Sequence, residues 1–170
     1  MKNTAIFYLV FIVFLFACDG TVEEEEPEEV YLPDKPVKID YEGTDLYVHP
    51  VDDTGNIEWG GYGRSMGATS LTNGKKNTDI IVDSLGEGNY AAYVCDTLTA
   101  YGYDDWYLPS KKELSAIFSN YDKLVDIDSD TYWSSTEESE DEAWSQKFYS
   151  GNKITIEKYH LKTVRCVRRD

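Results

Sequence analysis

The first apolar segment of the chain runs from Ala5 to Ala17 and contains thirteen consecutive apolar residues. A helix that crosses a bilayer needs roughly 20 apolar residues, so this run is too short to span one. Lys2 provides a positive charge before it, as in a secretory leader. The pattern therefore predicts a leader over residues 1–17 rather than a membrane-spanning helix.

Two later segments have the apolar spacing of half-buried helices. The first is Asn89–Ala100, where the i, i+3, i+4, i+7 pattern is formed by Ala91, Val94, Cys95 and Leu98. The second extends from Ser110 to about Tyr121, and Ser110 with Glu113 forms a capping box at its start. We also predict a short helix over Asp79–Leu85.

Strand patterns are concentrated at the C-terminal end of the chain. Four short segments are rich in aromatic or β-branched residues: Thr131–Thr136, Ala143–Tyr149, Lys153–Tyr159 and Thr163–Arg168. The pair Gly151-Asn152 predicts a hairpin turn between the second and third of them. Leu46–Val51 and Asn56–Gly60 are earlier candidate strands. Helices followed by a run of antiparallel strands predict an α+β domain.

Charge and composition divide the chain into parts. The 32 acidic and 16 basic residues give a formal net charge of −16, which repels phosphate backbones, so we predict no nucleic-acid partner. Residues 19–36 lack apolar periodicity and include five acids within residues 23–28, which predicts an extended tether. We therefore predict a leader over 1–17, an anchor and tether over 18–38, and one domain over 39–170.

The end of the apolar run, Leu15-Phe16-Ala17-Cys18, resembles the lipobox of bacterial lipoproteins. This resemblance implies cleavage before Cys18 and attachment of lipid to the sulfur and the new amino group of that cysteine. More than one acyl chain makes such an anchor stable. The acidic run that follows resembles the tethers of surface-exposed lipoproteins, so we predict a lipid-anchored protein on the surface of a bacterial outer membrane. An ordinary secretory signal is the alternative.

Four motifs carry a second resemblance. The segment Gly102–Pro109, followed by residues 110–114, resembles the "GYDDW-LP-x-x-x-EL" signature of the Lcl C-terminal-like domains. Three further segments match in the same order: Asn73–Thr78, Tyr132–Glu137 and Val164–Arg168. The resemblance implies a C-type-lectin-like fold akin to that of formylglycine-generating enzymes, in which two main helices pack on a small twisted antiparallel sheet with long loops.

The family resemblance also suggests a function. Its named member is the C-terminal domain of a collagen-like bacterial adhesin that binds host polysaccharide, although this chain has no Gly-X-Y repeat. Our first hypothesis is a non-enzymatic surface lipoprotein whose lectin-like domain binds an extracellular ligand such as a glycan. The candidate binding residues surround the last hairpin: Tyr149, Asn152 and Tyr159. The alternatives are an envelope assembly subunit that contacts another protein, and an oxidase related to the formylglycine-generating enzymes.

The signature aromatic residues are expected in the core, and the same resemblance implies a disulfide. The expected core residues are Trp106, Leu108, Trp133 and Trp144. In the lectin-like fold the first long helix packs against the last strand, which would bring Cys95 to Cys166. Two buried unpaired thiols, or a copper-binding cysteine pair as in the oxidases, are the alternatives.

The sequence gives little indication of a metal site or of a catalytic site. Asp126, Asp128, Asp130 and Glu137 have EF-hand spacing, but Thr131 stands where that loop needs glycine, so we attribute the spacing to chance. Calcium held by other loop acids is left open. Because His49 and His160 are the only histidines, a three-histidine zinc site is excluded. We therefore predict no catalytic residues, no metal ligands and no cofactor.

Overall fold

The computed structural model describes residues 33–125, 127 and 130–170, which all fall in one compact unit. Within these ranges the fold is α+β, as predicted. The predicted leader, Cys18 and most of the acidic tether lie outside the described residues. None of the helices in the described ranges combines the length and apolarity needed to span a membrane.

The described strands form two sheets. Their bounds are β1 (Val37–Tyr41), β2 (Thr44–Val48), β3 (Thr54–Ile57), β4 (Thr131–Glu137), β5 (Glu142–Lys147), β6 (Lys153–Glu157), β7 (Lys162–Val164) and β8 (Val167–Arg168). The small sheet has the order β1-β2-β8, and the large sheet has the order β3-β7-β4-β5-β6. Strand β1 had no counterpart among the strands predicted from the sequence.

The last predicted strand, Thr163–Arg168, divides into β7 and β8, which belong to different sheets. The chain leaves the large sheet at Arg165 and Cys166, where the Arg165 guanidinium binds Asp52 and the Cys166 carbonyl accepts from the His49 amide. Strand β7 also runs parallel to β4, with Tyr132 opposite Thr163. The expectation of one small antiparallel sheet is therefore wrong, because the contacts of this short segment redirect the chain.

The described helices are α1 (Gly74–Leu85), α2 (Ala91–Asp96), α3 (Lys111–Ser119) and a single 3-10 turn at Tyr121–Lys123. The capping box of α3 is confirmed, since Ser110 accepts from the Glu113 amide and Glu113 accepts from the Ser110 amide. Helix α1 begins five residues before the predicted start. Helix α2 is shorter than predicted, because residues 97–100 turn back so that Ala100 forms a bridge with Tyr103.

Two apolar cores lie within this part of the chain. The first contains Trp59, Trp106, Leu108 and Trp133 together with apolar residues of α1 and α2. The second joins Tyr132 to α3 and to the small sheet. The prediction of a core position for Trp144 is wrong, because Ala143 and Ser145 are the buried residues beside it on β5. Trp144 is half-buried beneath Lys111, whose ammonium lies 2.8 Å from the ring centroid.

The disulfide implied by the family resemblance is present. Cys95 on α2 is bonded to Cys166 between β7 and β8, with an S–S distance of 2.04 Å and a sequence separation of 71 residues. Both cysteines are fully buried. The bridge therefore fixes the first core to the segment that connects the two sheets.

Candidate ligand-binding surface

The structure separates the three residues predicted at the last hairpin. Tyr149 and Asn152 lie in the connection between β5 and β6, whereas Tyr159 follows the opposite end of β6. A strand of five residues such as β6 spans about 17 Å at 3.3–3.4 Å per residue. Tyr159 therefore belongs to a different surface from Tyr149 and Asn152.

Tyr159 forms an exposed aromatic group with two other residues. Its ring centroid lies 5.0 Å from that of Tyr62 at an interplanar angle of 80°, and 4.6 Å from the imidazole of His160. Tyr62 is 52% exposed and Tyr159 is 44% exposed. An edge-to-face contact of this kind fixes the orientation of two rings that still face solvent. We call Tyr62, Tyr159 and His160 the aromatic surface.

Two connections carry this surface, the β3–α1 loop (residues 58–73) and the β6–β7 connection (158–161), and both contact the β4–β5 turn (138–141). The Gly63 amide donates to the Glu140 carbonyl at 3.1 Å, and the Lys158 amide donates to the Asp141 carbonyl at 2.8 Å. The Trp59 amide donates to the Lys158 carbonyl at 3.0 Å. Backbone hydrogen bonds therefore join all three connections.

Beneath the surface, the side chain of Lys158 is fully buried. Its ammonium donates to Glu137 Oε1 at 2.8 Å, and to the carbonyls of Arg64 and Glu140 at 2.9 Å each. These three acceptors match the three protons of an ammonium group. The buried lysine therefore connects strand β4 to two of the connections that support the aromatic surface.

Glu137 completes this buried pair from the end of β4. Its carboxylate accepts from the amides of Met66 and Gly67, the latter at 2.7 Å. Burial by itself raises the pKa of Glu137, but the hydrogen bonds from Lys158 and from these two amides outweigh burial and hold the pKa below its ordinary value. Glu137 is therefore a structural anion that holds the β3–α1 loop.

These contacts also bear on the EF-hand spacing noted in the sequence. Glu137, the last acid of that pattern, belongs to β4, in accord with the expected strand. Asp130 accepts from the hydroxyl of Thr163 at 2.7 Å and from the Thr131 amide. Asp126 and Asp128 lie outside the described residues. Within the described ranges no group of three metal-ligating side chains is brought together.

Two carboxylates, those of Asp141 and Glu157, act on residues of the aromatic surface. The charge of Asp141, together with burial and the charges of Tyr159 and Glu157, raises the pKa of Tyr62. Glu157 lies directly opposite Glu142 in the β5–β6 ladder, and His160 Nε2 is 3.3 Å from Glu157 Oε2. The surface therefore combines exposed aromatic rings with negative charge.

The other histidine has a structural position. His49 Nδ1 lies 2.8 Å from Asp53 Oδ1, and its ring packs against Tyr101 and Trp106. The histidine is buried, and its amide donates to the Cys166 carbonyl. These contacts hold the start of the β2–β3 connection beside the disulfide.

Tyr62 was not among the site residues predicted from the sequence, although the sequence contains a signal for it. Tyr62 stands in Gly60-Gly61-Tyr62-Gly63, where glycines flank a large aromatic residue on both sides. Such a residue cannot be part of a periodic buried face and is a candidate for an exposed position. Nothing in the local sequence indicates that its partner is Tyr159.

Most of the described part of the chain matches the model of a known protein family. The model of the Lcl C-terminal domain family matches residues 49–168, which is more than half of the chain. The matched range contains both cysteines of the disulfide, the buried Lys158–Glu137 pair and the aromatic surface. It begins after β2, so the first hairpin lies outside it. A search of curated proteins found no match.

Proposed function

The chain belongs to the Lcl C-terminal domain family, and from this premise we propose that it is a non-enzymatic lipoprotein whose folded part binds an extracellular glycan. The observation that carries the proposal is the exposed edge-to-face pair of Tyr62 and Tyr159. One face of a pyranose ring consists of C–H groups and packs well on an aromatic ring. The phenolic hydroxyls can at the same time bond the hydroxyls of the sugar.

The hydrogen bonds beneath these rings favour the binding of a glycan. The contacts of Lys158 and Glu137 hold the β3–α1 loop and the β4–β5 turn before any ligand arrives. A preorganised surface loses less conformational entropy on binding than a mobile one. Binding residues on loops that are fixed by a rigid frame are a common arrangement in proteins.

A C-type-lectin-like fold is the finer architecture that we propose. Three features of the structure agree with this fold: helices that pack on a sheet, a disulfide between a helix and the segment after β7, and a long β3–α1 loop. The adhesin implied by the family resemblance binds polysaccharide, which agrees with a glycan ligand here.

We place the protein at the surface of a bacterial outer membrane, held by lipid on Cys18. This placement is based on the lipobox resemblance and the acidic tether in the sequence. A buried disulfide supports it, since such bonds form and persist in oxidising compartments outside the cytoplasm.

The disulfide between the two cysteines favours a non-enzymatic role over an oxidase. An oxidase of the formylglycine-generating type needs two thiolates to hold copper. In the described part of the chain both cysteines are bonded to each other and fully buried.

The protein-assembly alternative predicts one dominant protein partner after cross-linking in intact cells.

A glycan-binding experiment tests the proposed function. The full chain in detergent is screened against immobilised glycans, with and without calcium, and the affinity for the best ligand is measured. We expect Tyr62→Ala and Tyr159→Ala each to weaken binding about tenfold, since truncation of a central aromatic contact costs roughly 1–2 kcal/mol.

Tyr121→Ala is the matched control, because Tyr121 is 57% exposed on the 3-10 turn, and it should bind as the parent does. Tyr149→Ala distinguishes the two surfaces. A loss at Tyr149 with none at Tyr62 would restore the hairpin surface predicted from the sequence. Failure to bind any glycan would contradict the proposed function.

A further inference from the structure

We infer that two copies of this chain associate through the outer edge of strand β6, which joins their large sheets across a two-fold axis at Thr155. The inference goes beyond the proposed function and does not depend on a glycan ligand. It is carried by the position of β6 in its sheet and by a strand sequence that is complementary to itself.

Strand β6 lies at one end of the large sheet, and within the described ranges it pairs only with β5. Backbone hydrogen bonds bracket this ladder at both ends. The Lys147 amide donates to the Asn152 carbonyl at 2.9 Å, and the Lys158 amide donates to the Asp141 carbonyl at 2.8 Å. Because hydrogen-bonded pairs alternate along an antiparallel ladder, the even-numbered residues of this segment bond to β5.

The odd-numbered residues, Lys153, Thr155 and Glu157, therefore direct their amides and carbonyls to the outer edge. The Glu157 carbonyl also accepts from the His160 amide at 3.0 Å, which leaves it a second lone pair. A row of outward backbone groups of this kind is a template for one more strand.

The sequence of β6, Lys-Ile-Thr-Ile-Glu, is complementary to itself in the antiparallel register centred on Thr155. In this register Thr155 lies opposite its own copy, and Lys153 of one copy lies opposite Glu157 of the other. These are the residues whose backbone groups point outward, so the hydrogen bonds and the charges are satisfied together. On the opposite face Ile154 meets Ile156. Pairs of opposite charge and pairs of apolar β-branched residues both stabilise a ladder.

The side chains on this edge are available for pairing. Lys153 is exposed, and none of the ion pairs in the described part of the chain includes it. The Glu157 side chain is 46% exposed. A lysine on an edge strand usually hinders the approach of another strand. In the self-complementary register each lysine meets a glutamate instead, so β6 accepts a second β6 in preference to an unrelated strand.

The other sheet edges are less suited to this association. Lys38 on β1 is already bound to Asp45 at 2.6 Å. Strand β3, at the opposite end of the large sheet, pairs irregularly with β7 between Thr54 and Ile57. By contrast, β6 keeps an unbroken register with β5 over its five residues. A straight and regular edge is the one that a second strand can extend.

Such a dimer would present two copies of the aromatic surface. Tyr159 follows Thr155 by four residues, so the two tyrosines would lie at opposite ends of the paired strands, roughly 27 Å apart at 3.4 Å per residue. Two sites on one particle bind a repeating ligand more tightly than either site alone.

Cross-linking in intact cells tests the two-fold axis. Residues that face each other in a hydrogen-bonded antiparallel pair have Cα atoms about 5.5 Å apart, which a disulfide can bridge. We expect Thr155→Cys in the full chain to give a covalent dimer on a non-reducing gel after mild oxidation, and mass spectrometry to find two copies of this chain in it. The controls are the parent chain and Lys38→Cys on the edge strand β1.

Three results would overturn the inference at this step. They are a Thr155→Cys chain that stays monomeric, one that cross-links no better than Lys38→Cys, and one that links to a different protein.

Exchange of the charges tests the register. An edge of five residues buries less area than a standard interface, so we expect the full chain in excess detergent to dimerise with a Kd of about 10–100 μM by sedimentation equilibrium. Lys153→Glu and Glu157→Lys should each raise the Kd about tenfold, because like charges then face each other at two symmetric positions. The double variant Lys153→Glu/Glu157→Lys restores opposite charges and should return the Kd to within about twofold of the parent.

The double variant also controls for misfolding, since it carries both substitutions. A double variant that dimerises as weakly as the single variants overturns the proposed register. A parent chain that is monomeric at about 1 mM overturns the dimer itself, and neither result bears on glycan binding.

Discussion

At the scale of single residues, Lys158 departs most from what its residue type suggests. Lysine is almost never fully buried unless it is paired. Here its ammonium lies 4.8 Å from the centroid of the Trp59 ring, and the charge is matched by Glu137. The sequence predicted Lys158 as part of a strand over Lys153–Tyr159, whereas β6 ends at Glu157, so only the fold identifies its role.

Removal of this lysine should be costly. In Lys158→Met the stem is replaced by a side chain of similar length, but Glu137 is left as a buried carboxylate without its cation. Breaking a buried pair in this way costs about 3–5 kcal/mol. We expect a loss of that size in the free energy of unfolding, measured by urea denaturation of the full chain.

The matched control is Lys153→Met, because Lys153 is an exposed lysine at the start of β6. Its unfolding free energy should change by no more than about 0.5 kcal/mol. The double variant Lys158→Met/Glu137→Gln should lose less than Lys158→Met alone. Equal losses at Lys153 and Lys158 would contradict the structural role of the pair.

At the scale of elements, the start of α1 depends on close contact with α3. The Gly74 amide donates to Glu113 Oε2 at 2.9 Å, so the carboxylate that caps α3 also binds the first turn of α1. The Tyr107 hydroxyl donates to the other oxygen of Glu113 at 3.0 Å. The capping box was predicted from the sequence, but these additional donors were not, because they come from other elements.

The close contacts of Gly74 predict that alanine at this position destabilises the protein, whereas helix propensity alone predicts that it stabilises. A Cβ on Gly74 would lie 2.5 Å from Glu113 Oε2 and 2.6 Å from both the Leu108 carbonyl oxygen and the Ser110 amide nitrogen. Although alanine favours helices over glycine, Gly74→Ala should destabilise the protein by about 1–3 kcal/mol because of this overpacking.

The comparison for that variant is Gly55→Ala in β3. A Cβ there meets no heavy atom within 4 Å, and its backbone is not left-handed. Thermal unfolding of both variants measures the difference. If Gly74→Ala were as stable as Gly55→Ala, the contact between the starts of α1 and α3 would not be as close as described.

At the scale of the whole described unit, the disulfide joins parts that are distant in sequence. It closes a loop of 71 residues that includes α3 and most of the large sheet. A bridge over such a loop lowers the entropy of the unfolded chain. The chain-entropy model gives a stabilisation of about 4 kcal/mol for a loop of this length.

We therefore expect Cys95→Ala/Cys166→Ala to lower the free energy of unfolding by about 2–5 kcal/mol, measured by urea denaturation. Reductant should destabilise the parent chain by a comparable amount. It should leave the double variant unchanged, because no bridge remains to be broken within the folded part. Destabilisation of the double variant by reductant would contradict this account.

Much of the local structure could be predicted from the sequence. The capping box at Ser110, the hairpin that joins β5 to β6, and the family motifs all depend on neighbouring residues, which the sequence displays directly. The leader, the lipid site at Cys18 and the tether are likewise sequence predictions, and they lie outside the described residues. The pairing of Cys95 with Cys166 required the family resemblance, since the residues alone also allowed two unpaired thiols or a copper-binding pair.

Only the tertiary structure decided the candidate site. Lys158 and Arg64 are 94 positions apart in the chain, and their contact exists because three connections converge. The same convergence brings Tyr62 to Tyr159 and separates Tyr159 from Tyr149. Local patterns determine which segments form helices and strands, because periodicity depends on adjacent residues. Which loops meet depends on how those elements pack, and no local pattern contains that information.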